Sequence, residues 1–188
     1  MRIISGSFKG KKILEPKDIK TRPLKDLTKE SIFNVIIHSK KFKINLENSI
    51  ILDLFSGVGS FGIECLSRNV KKVIFVENYN GVLPILKKNL ENLNLSKKFS
   101  IIEYDVYKNH IFSKLENKFD IIFLDPPYKN KNLDRLLIKI NNQKILNKDG
   151  IVIIHRHKNE QDILPKVFQI VDQKKYGISK ITFLTNLN

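Results

Sequence analysis

From residue 50 onward, short apolar segments alternate with segments of helical spacing, and this alternation limits the fold more than any other feature. The strand-like segments are SIILDLFSG, KKVIFVE, FSIIEYD, FDIIFLD and DGIVIIH, and helical patterns such as SFGIECLSR, VLPILKKNLENL and LDRLLIKINN lie between them. Strands that alternate with helices of about ten residues are typical of a parallel sheet with helices on both faces. Near the C-terminus, two strand-like runs surround YGIS with no helix between them, which predicts an antiparallel hairpin at the sheet edge. We therefore predict an α/β, Rossmann-like fold.

The first 43 residues do not follow this alternation. The segment RIISGSFKGKKIL predicts two short strands around a glycine-containing turn, and TRPLKDLTKESIFNVIIHSKK leads into an amphipathic helix from about Thr28 to Lys40. The predicted apolar face of that helix consists of Ile32, Phe33, Val35, Ile36 and Ile37. We therefore divide the chain into an N-terminal extension, residues 1–43, and a sheet domain, residues 44–188.

The composition is that of a globular protein, since 41% of the 188 residues are hydrophobic and 28% are charged. No apolar run approaches the roughly 20 residues that span a bilayer, and the N-terminus lacks the apolar core of a signal peptide. The single cysteine, Cys65, excludes an internal disulfide and fits a reducing compartment. From these features we expect a cytoplasmic monomer.

The formal net charge of +15 predicts a polyanionic partner. Lysine is abundant along the whole chain, as in genomes of biased composition, but the excess is uneven. Residues 1–43 carry 12 Lys and Arg against 4 Asp and Glu, a net charge of +8. The N-terminal extension is therefore the predicted contact surface for that partner, and a merely solvated surface is the alternative.

Carboxylates end four successive predicted strands, at Asp53, Glu77, Asp105 and Asp125. The carboxyl ends of parallel strands lie at one edge of a sheet, and open α/β sheets bind their ligands at that edge. One such acid could be incidental. Four acids at the same edge predict a binding site.

The segment GVGSFG, Gly57 to Gly62, follows the first of these strands and matches the dinucleotide fingerprint, with Glu77 located 20 residues beyond Gly57, where a ribose-binding acid would lie. An NAD-dependent oxidoreductase is therefore one interpretation. Asp53 argues against it, because a carboxylate four residues before Gly57 would repel the pyrophosphate. The cationic methionyl end of S-adenosylmethionine suits an acid better, so the sequence favours that cofactor.

The segment DPPY, Asp125 to Tyr128, follows the fourth strand and fits methyl transfer to a nucleobase amine. The lone pair of such an amine is delocalised into the ring, so the amine is a poor nucleophile. A carboxylate and a main-chain carbonyl that accept its two N–H groups would localise the lone pair and stabilise the positive charge that develops. Pro126 and Pro127 would hold the carbonyl rigidly, and Tyr128 would stack on an extruded base. The alternative is that Asp-Pro-Pro only ends the strand.

The segments DLFSGVGSFGIE and FLDPPY resemble the class I methyltransferases that modify nucleobase amino groups. RIISGSFKGKKI and TRPLKDLTKESIFNVI resemble, more narrowly, the bacterial family that methylates guanine N2 in small-subunit ribosomal RNA. The resemblance extends from Arg2 to about Leu184 and implies S-adenosylmethionine as cofactor and ribosomal RNA as substrate, either naked or in an assembling particle. DPPY is shared with adenine-N6 and cytosine-N4 enzymes, so the motif alone does not select the base.

The resemblance also implies roles for individual residues. The predicted cofactor-binding residues are Asp53, Phe55, Gly57, Gly59, Glu77, Asn78, Asp105 and Val106. Asp53 and the two glycines would hold the methionine end, Glu77 the ribose, and Asp105 with Val106 the adenine. Many relatives have a second acid soon after the ribose-binding one, where this chain has Asn78 and Tyr79.

The predicted catalytic residues are Asp125, Pro126, Pro127 and Tyr128, and the predicted RNA-binding residues are Arg2, Lys9, Lys11, Lys12 and Arg22. The segment from Thr21 to Pro23 is expected to close over cofactor and substrate. We predict no metal site. His155 and His157 lie two apart on the fifth strand and are interpreted as a solvated or RNA-facing pair.

Overall fold

The computed structural model describes residues 1–16, 24–108, 111–115, 117–127 and 132–187. Two residues with predicted roles, Arg22 in RNA binding and Tyr128 in base stacking, lie outside the described residues, as does the segment 21–23.

A seven-stranded sheet forms the centre of the protein, with the strand order β3-β2-β1-β4-β5-β7-β6. The strands are β1 Ile50–Leu54, β2 Lys72–Glu77, β3 Phe99–Glu103, β4 Phe119–Leu124, β5 Leu146–His157, β6 Phe168–Tyr176 and β7 Ser179–Asn186. The first five strands are parallel, and β7 runs antiparallel between β5 and β6. The predicted α/β fold with an antiparallel C-terminal hairpin is confirmed. The order reverses between β1 and β4, which is the switch point where such sheets bind ligands.

Helices cover both faces of the sheet. The α-helices are α1 Asp26–His38, α2 Ser60–Ser67, α3 Leu83–Glu91 and α4 Leu133–Asn142. Side chains alternate between the two faces along each strand, so Ile51 packs with α1, α2 and α3 while its neighbour Leu52 packs with α4. None of the helices that the structure describes is long and apolar enough to cross a bilayer.

The N-terminal segment differs from the predicted pair of strands. Among residues 1–16, the only pairing of strand type is one antiparallel bridge between Arg2 and Lys12. The turn at Gly6 instead lies against the end of α2, where the Ser7 N–H donates to the Ser67 carbonyl at 2.7 Å. The Ile3 N–H donates to the Lys11 carbonyl at 2.9 Å, and the Ile13 N–H donates to the Met1 carbonyl at 3.1 Å. The predicted hairpin is therefore present but very short, because the next N–H groups, of Ile4 and Ser5, donate to Glu64 instead of to a second strand.

Helix α1 begins at Asp26, two residues earlier than predicted. Ile32, Phe33 and Ile36 are buried as expected, but Ile37 is 48% exposed. Periodicity did not assign Thr28 and Lys29 to the buried face, although Thr28 is 3% exposed and Lys29 is fully buried. The Lys29 side chain is the larger exception. Its ammonium donates to the Arg2 carbonyl at 2.8 Å.

Lys29 also forms an ion pair with Glu64 of α2 at 3.7 Å, and neither side chain is exposed. Glu64 accepts hydrogen bonds from the backbone N–H groups of Ile4 and Ser5 at 2.8 and 3.0 Å. Burial lowers the pKa of Lys29, and the charges of Glu64 and then Asp26 oppose that shift. This buried cluster holds the first residues of the chain and α1 against α2.

Candidate active site

The register of the parallel strands gathers three of the four predicted acids at the carboxyl edge of the sheet. Asp53 lies beside Phe75 on β2, and Leu54 lies beside both Val76 and Leu124. Glu77 is the last residue of β2, and Asp125 directly follows β4. The fourth acid, Asp105, lies two residues beyond the end of β3.

Asp53 is a buried carboxylate with a fixed orientation. It is 1% exposed, and its Oδ2 accepts the Gly62 N–H at 3.0 Å. Burial raises its pKa well above the ordinary value, the Gly62 N–H partly opposes the shift, and the charges of Asp125 and Glu77 raise the pKa further. No cationic side chain of the described part of the chain contributes to this pKa. A positively charged group that binds beside such a carboxyl stabilises its ionised form, so the site favours a cationic ligand.

The glycine loop, residues 55–59, joins β1 to α2 through left-handed backbone. Gly57 has φ +56° and Gly59 has φ +86°, and a Cβ on Gly59 would lie 2.6 Å from Leu86 Cδ1. Phe55 adopts φ +60° although it is not a glycine. Such backbone costs about 1–3 kcal/mol and is concentrated at ligand-binding sites. The Phe55 ring packs on Tyr107, with the centroids 5.5 Å apart.

Glu77 connects this loop to the end of β2. Its Oε2 accepts the Gly57 N–H at 2.8 Å, and its Oε1 accepts the N–H groups of Asn78 and Tyr79 at 2.9 and 2.8 Å. A carboxylate offers about four acceptor positions, so this residue retains capacity for one further donor. The Asn78 side chain is exposed beside it.

Asp105 and Val106 lie in a turn after β3. Asp105 Oδ1 accepts the Tyr107 N–H at 2.9 Å, and its carbonyl accepts the Lys108 N–H at 3.0 Å. Val106 is 3% exposed and belongs to the core on the α4 side of the sheet. The turn therefore places a buried apolar residue and a half-buried carboxylate next to the end of β2.

The DPP turn, Asp125 to Pro127, is held by the neighbouring strand β5. Asp125 is one-fifth exposed, and its Oδ1 lies 2.9 Å from His155 Nδ1. Pro126 is buried and Pro127 is exposed. The Pro127 carbonyl accepts a hydrogen bond from Arg156 Nη1 at 3.1 Å. Two adjacent residues of β5 thus hold the two ends of the turn.

Sequence reasoning missed both of these residues. His155 is only 6% exposed, so its interpretation as part of a solvated pair is wrong. The register of the folded sheet explains the contact, because Leu124 lies beside Ile154 and the next residues along these two strands are Asp125 and His155. Arg156 is 2% exposed and is neutralised by Asp162, whose Oδ1 lies 3.0 Å from both Nε and Nη2.

The predicted RNA-binding residues that the structure describes are exposed, but they are not equivalent. Lys9 and Lys12 are exposed with no ion pair among the described residues. Lys11 donates to the carbonyl of Asn92, and Arg2 Nε lies 3.8 Å from Asp26 Oδ2.

Across the described residues, no group of three His, Cys, Asp or Glu side chains could hold a metal ion.

This parallel sheet with an antiparallel seventh strand inserted beside β5, a glycine loop after β1 and acids at the carboxyl edge defines a class I methyltransferase. The chain belongs to the family described as Conserved hypothetical protein 95, whose model matches residues 1–185.

Curated relatives and solved structures agree with this assignment. The chain is 36% identical over 184 residues to YlbH of Bacillus subtilis, described as an rRNA methyltransferase, with 96% of each chain covered. It is 30% identical to Ribosomal RNA small subunit methyltransferase D of Haemophilus influenzae, over 95% of this chain and 90% of that protein. The crystal structure of a methylase from Haemophilus influenzae matches with a TM-score of 0.75 and 30% identity, covering 100% of this chain and 98% of that one. The protein is a methyltransferase, and these matches decide against the NAD-dependent alternative.

Proposed function

We propose that this protein transfers a methyl group from S-adenosylmethionine to the exocyclic N2 amine of a guanine in small-subunit ribosomal RNA. The observation that carries the proposal is the position of Asp125. Its carboxylate follows β4 at the same sheet edge as the buried Asp53 and begins a rigid Pro-Pro turn. The names of the relatives from Haemophilus influenzae and Bacillus subtilis support ribosomal RNA as the substrate.

The residues at the carboxyl edge fit S-adenosylmethionine. Burial is the main cause of the raised pKa of Asp53. A cationic methionyl end that binds nearby would lower this pKa again by stabilising the ionised carboxylate. Glu77 has acceptor capacity for a ribose hydroxyl, and Val106 with Asp105 suits an adenine that is apolar on its face and polar at its amino group. When bound, the cofactor supplies an electrophilic methyl group on a sulfonium. The protein supplies the positioning and activation of the amine.

Two acceptors in the DPP turn activate the amine. Asp125 accepts one N–H of the guanine amine, and we assign the second N–H to the Pro126 carbonyl because Arg156 already binds the carbonyl of Pro127. The negative charge of Asp125 stabilises the positive charge that develops on nitrogen. Pro126 has its φ fixed near −65° by its own ring and its ψ restricted by the proline that follows. Its carbonyl is therefore oriented before the RNA binds, which lowers the entropic part of the barrier.

RNA docking is assigned to the exposed basic residues of the N-terminal extension, with Lys9 and Lys12 as its least engaged members. The turn that carries Lys9 lies against Ser67 at the end of α2, whereas the glycine loop precedes the start of α2 at Ser60. A helix of 8 residues is about 12 Å long. The phosphate contacts are therefore offset from the methyl-transfer site by about that distance, which is compatible with a substrate much larger than a nucleotide.

The proposal is tested by locating the methyl group. Small-subunit RNA from a strain lacking the protein is incubated with purified protein and S-adenosylmethionine labelled in its methyl group, and the RNA is digested to nucleosides. We expect the label in N2-methylguanosine. Label in N6-methyladenosine would replace guanine by adenine as the substrate, and RNA without label would contradict the proposal.

The form of the substrate is resolved in the same experiment. Naked small-subunit RNA and assembled small subunits are methylated side by side at equal concentrations. A preference for either form, measured as the ratio of initial rates, identifies the state of the RNA that the enzyme modifies.

A further inference from the structure

Asp125, His155 and Ser179 form a continuous chain of polar contacts that the proposed chemistry does not use. His155 Nδ1 lies 2.9 Å from Asp125 Oδ1, and His155 Nε2 lies 2.9 Å from Ser179 Oγ. This series of contacts spans three adjacent strands, since Asp125 follows β4, His155 belongs to β5 and Ser179 begins β7. His155 and Ser179 are 6% and 5% exposed, so these contacts are shielded from water.

The chemistry of the three groups determines which atoms carry hydrogen. An ionised carboxylate only accepts hydrogen bonds, so the contact with Asp125 requires a hydrogen on His155 Nδ1. In the neutral ring, Nε2 is then an acceptor, and the Ser179 hydroxyl donates to it. Ser179 therefore stabilises the tautomer that can donate to Asp125. The identity of the protonated nitrogen in a histidine is commonly set by such a partner.

We propose that His155, held by Ser179, is a positioning residue for the Asp125 carboxylate. This inference rests on the proposed function. The His155 Nδ1–H occupies one carboxylate oxygen, Oδ1, and thereby fixes the side-chain rotation that directs the second oxygen toward the amine. A one-fifth exposed carboxylate without this contact rotates among several orientations, and misplacement of a reacting group by about 1 Å can cost about a hundredfold in rate.

The first test measures the protonation state directly and needs no activity. The nitrogen NMR spectrum of ¹⁵N-histidine-labelled protein contains signals from 4 histidines, and the spectrum of His155→Asn identifies those of His155. We expect Nδ1 of His155 to carry a hydrogen, and we expect the signal to move in Asp125→Ala. A His155 ring with hydrogen on Nε2 alone would overturn the proposal.

The second test separates positioning from structure through a pair of substitutions. His155→Leu replaces the imidazole by an apolar side chain of similar size without a donor, whereas His155→Asn keeps an N–H donor close to the position of Nδ1. We expect His155→Leu to lower the single-turnover rate at saturating RNA and S-adenosylmethionine by between about tenfold and a hundredfold. His155→Asn should recover most of that loss. Dissociation constants for both ligands should stay within about twofold of the wild type.

Ser179→Ala and Ser179→Thr provide a second pair should the His155 variants fold poorly. The alanine should lower the rate by a smaller factor than His155→Leu, and the threonine, which restores the hydroxyl, should recover it. A full rate in His155→Leu and Ser179→Ala, or a loss that His155→Asn and Ser179→Thr do not rescue, would overturn the inference. Absence of methyl transfer by the wild-type protein would instead contradict the proposed function, so the two failures are distinguishable.

Discussion

The backbone N–H of Gly57 donates a hydrogen bond to Glu77 Oε2 at 2.8 Å, and this contact joins the loop after β1 to the end of β2. Glu77 is 8% exposed and also accepts two N–H groups of its own turn. The acid that the sequence assigns to the ribose therefore has a second task, since it fixes the glycine loop before any ligand binds. Preorganisation of this kind reduces the ordering that binding would otherwise require.

Replacement of Gly57 by leucine should weaken S-adenosylmethionine binding by at least tenfold while the fold persists. Gly57 has φ +56°, so any side chain there strains the backbone and obstructs the close approach of a ligand. The measurement is titration calorimetry combined with thermal unfolding. Gly10→Leu is the matched control, because Gly10 has φ +86° and no atom lies within 4 Å of a Cβ built there.

The control variant should show a similar loss of stability, on the order of 1–3 kcal/mol, from backbone strain alone, with unchanged cofactor affinity. Equal affinity of the Gly57→Leu variant and the wild-type protein would contradict the role of the glycine loop. Tighter binding of NAD than of S-adenosylmethionine in the same titrations would overturn the cofactor assignment.

Asp53→Asn should stabilise the ligand-free protein at neutral pH while weakening cofactor binding. Burial raises the pKa of Asp53 above the value of about 3.9 that an unfolded chain has. The folded state therefore binds this proton more tightly than the unfolded state, and the ionised carboxylate destabilises the protein above the folded pKa. The free energy of unfolding should rise as the pH falls through the folded pKa toward the unfolded one.

The amide of the variant cannot ionise, so this contribution to the pH dependence should disappear. Chemical denaturation over a pH series measures it, and Asp149→Asn provides a control with the same substitution at an exposed position. Two results would refute the assignment of Asp53 to a cationic group. One is an Asp53→Asn variant that is less stable than the wild type at neutral pH, and the other is unchanged affinity of this variant for S-adenosylmethionine.

Arg156→Met should loosen the DPP turn and reduce turnover more than cofactor affinity. Arg156 is 2% exposed and binds the Pro127 carbonyl at 3.1 Å, and its loss also leaves Asp162 with a weaker cationic partner. Removal of one member of a buried pair typically costs about 3–5 kcal/mol. Denaturant unfolding and single-turnover methylation measure the two effects.

Lys180→Met is the control for this variant, because Lys180 lies 3.9 Å from Asp162 and its ammonium binds the Glu160 carbonyl rather than the DPP turn. It should lose some stability but retain the single-turnover rate. Equal losses of rate in the two variants would show that Arg156 acts through general stability and not through Pro127.

Lys9→Glu combined with Lys12→Glu should reduce RNA affinity and flatten its salt dependence without affecting cofactor binding. Each lost phosphate contact should reduce the slope of log affinity against log salt by about one unit. Lys11 is left in place because its ammonium already donates to the Asn92 carbonyl, so its loss would remove a contact within the protein as well as a charge. Filter binding over a salt series provides the measurement.

The control is the double variant Lys144→Glu with Lys148→Glu, which makes the same charge change on two exposed residues. Lys144 lies just before β5 and Lys148 lies near its start, so both are at the opposite end of that strand from His155. This control should bind RNA nearly as well as the wild type. Unchanged RNA affinity in the Lys9 and Lys12 double variant, or equal losses in both double variants, would remove the N-terminal extension as the specific docking surface.

Periodicity was sufficient to predict the sheet and its helices, because a buried parallel strand is a continuous apolar run and helices such as α3 and α4 bury one mainly apolar face. The helix LDRLLIKINN begins and ends where the pattern indicated, at Leu133 and Asn142. The acids at the strand ends were visible in the sequence because each of them marks the end of a continuous apolar run. What the sequence does not show is how separate segments bond to one another over long distances.

The N-terminal extension, Lys29 and His155 all depend on such long-range bonds. In the N-terminal extension, the N–H groups of Ile4 and Ser7 bond to Glu64 and Ser67, far along the chain, so a local strand pattern could not show how short the hairpin is. The buried Lys29 violates the apolar pattern of α1 because Glu64 neutralises it. His155 was misinterpreted because its partner depends on the register between β4 and β5, which becomes certain only when both strands are placed.

The most direct test of the whole account is the single-turnover rate of Asp125→Ala on small-subunit ribosomal RNA, with wild-type protein in parallel. Asp125 provides the carboxylate that accepts the amine N–H and stabilises the developing charge, so its loss should lower the rate by about a hundredfold or more. The affinity for S-adenosylmethionine should change far less, because Asp53 and Glu77 remain in place. A near-normal rate of guanine methylation by Asp125→Ala would contradict the account.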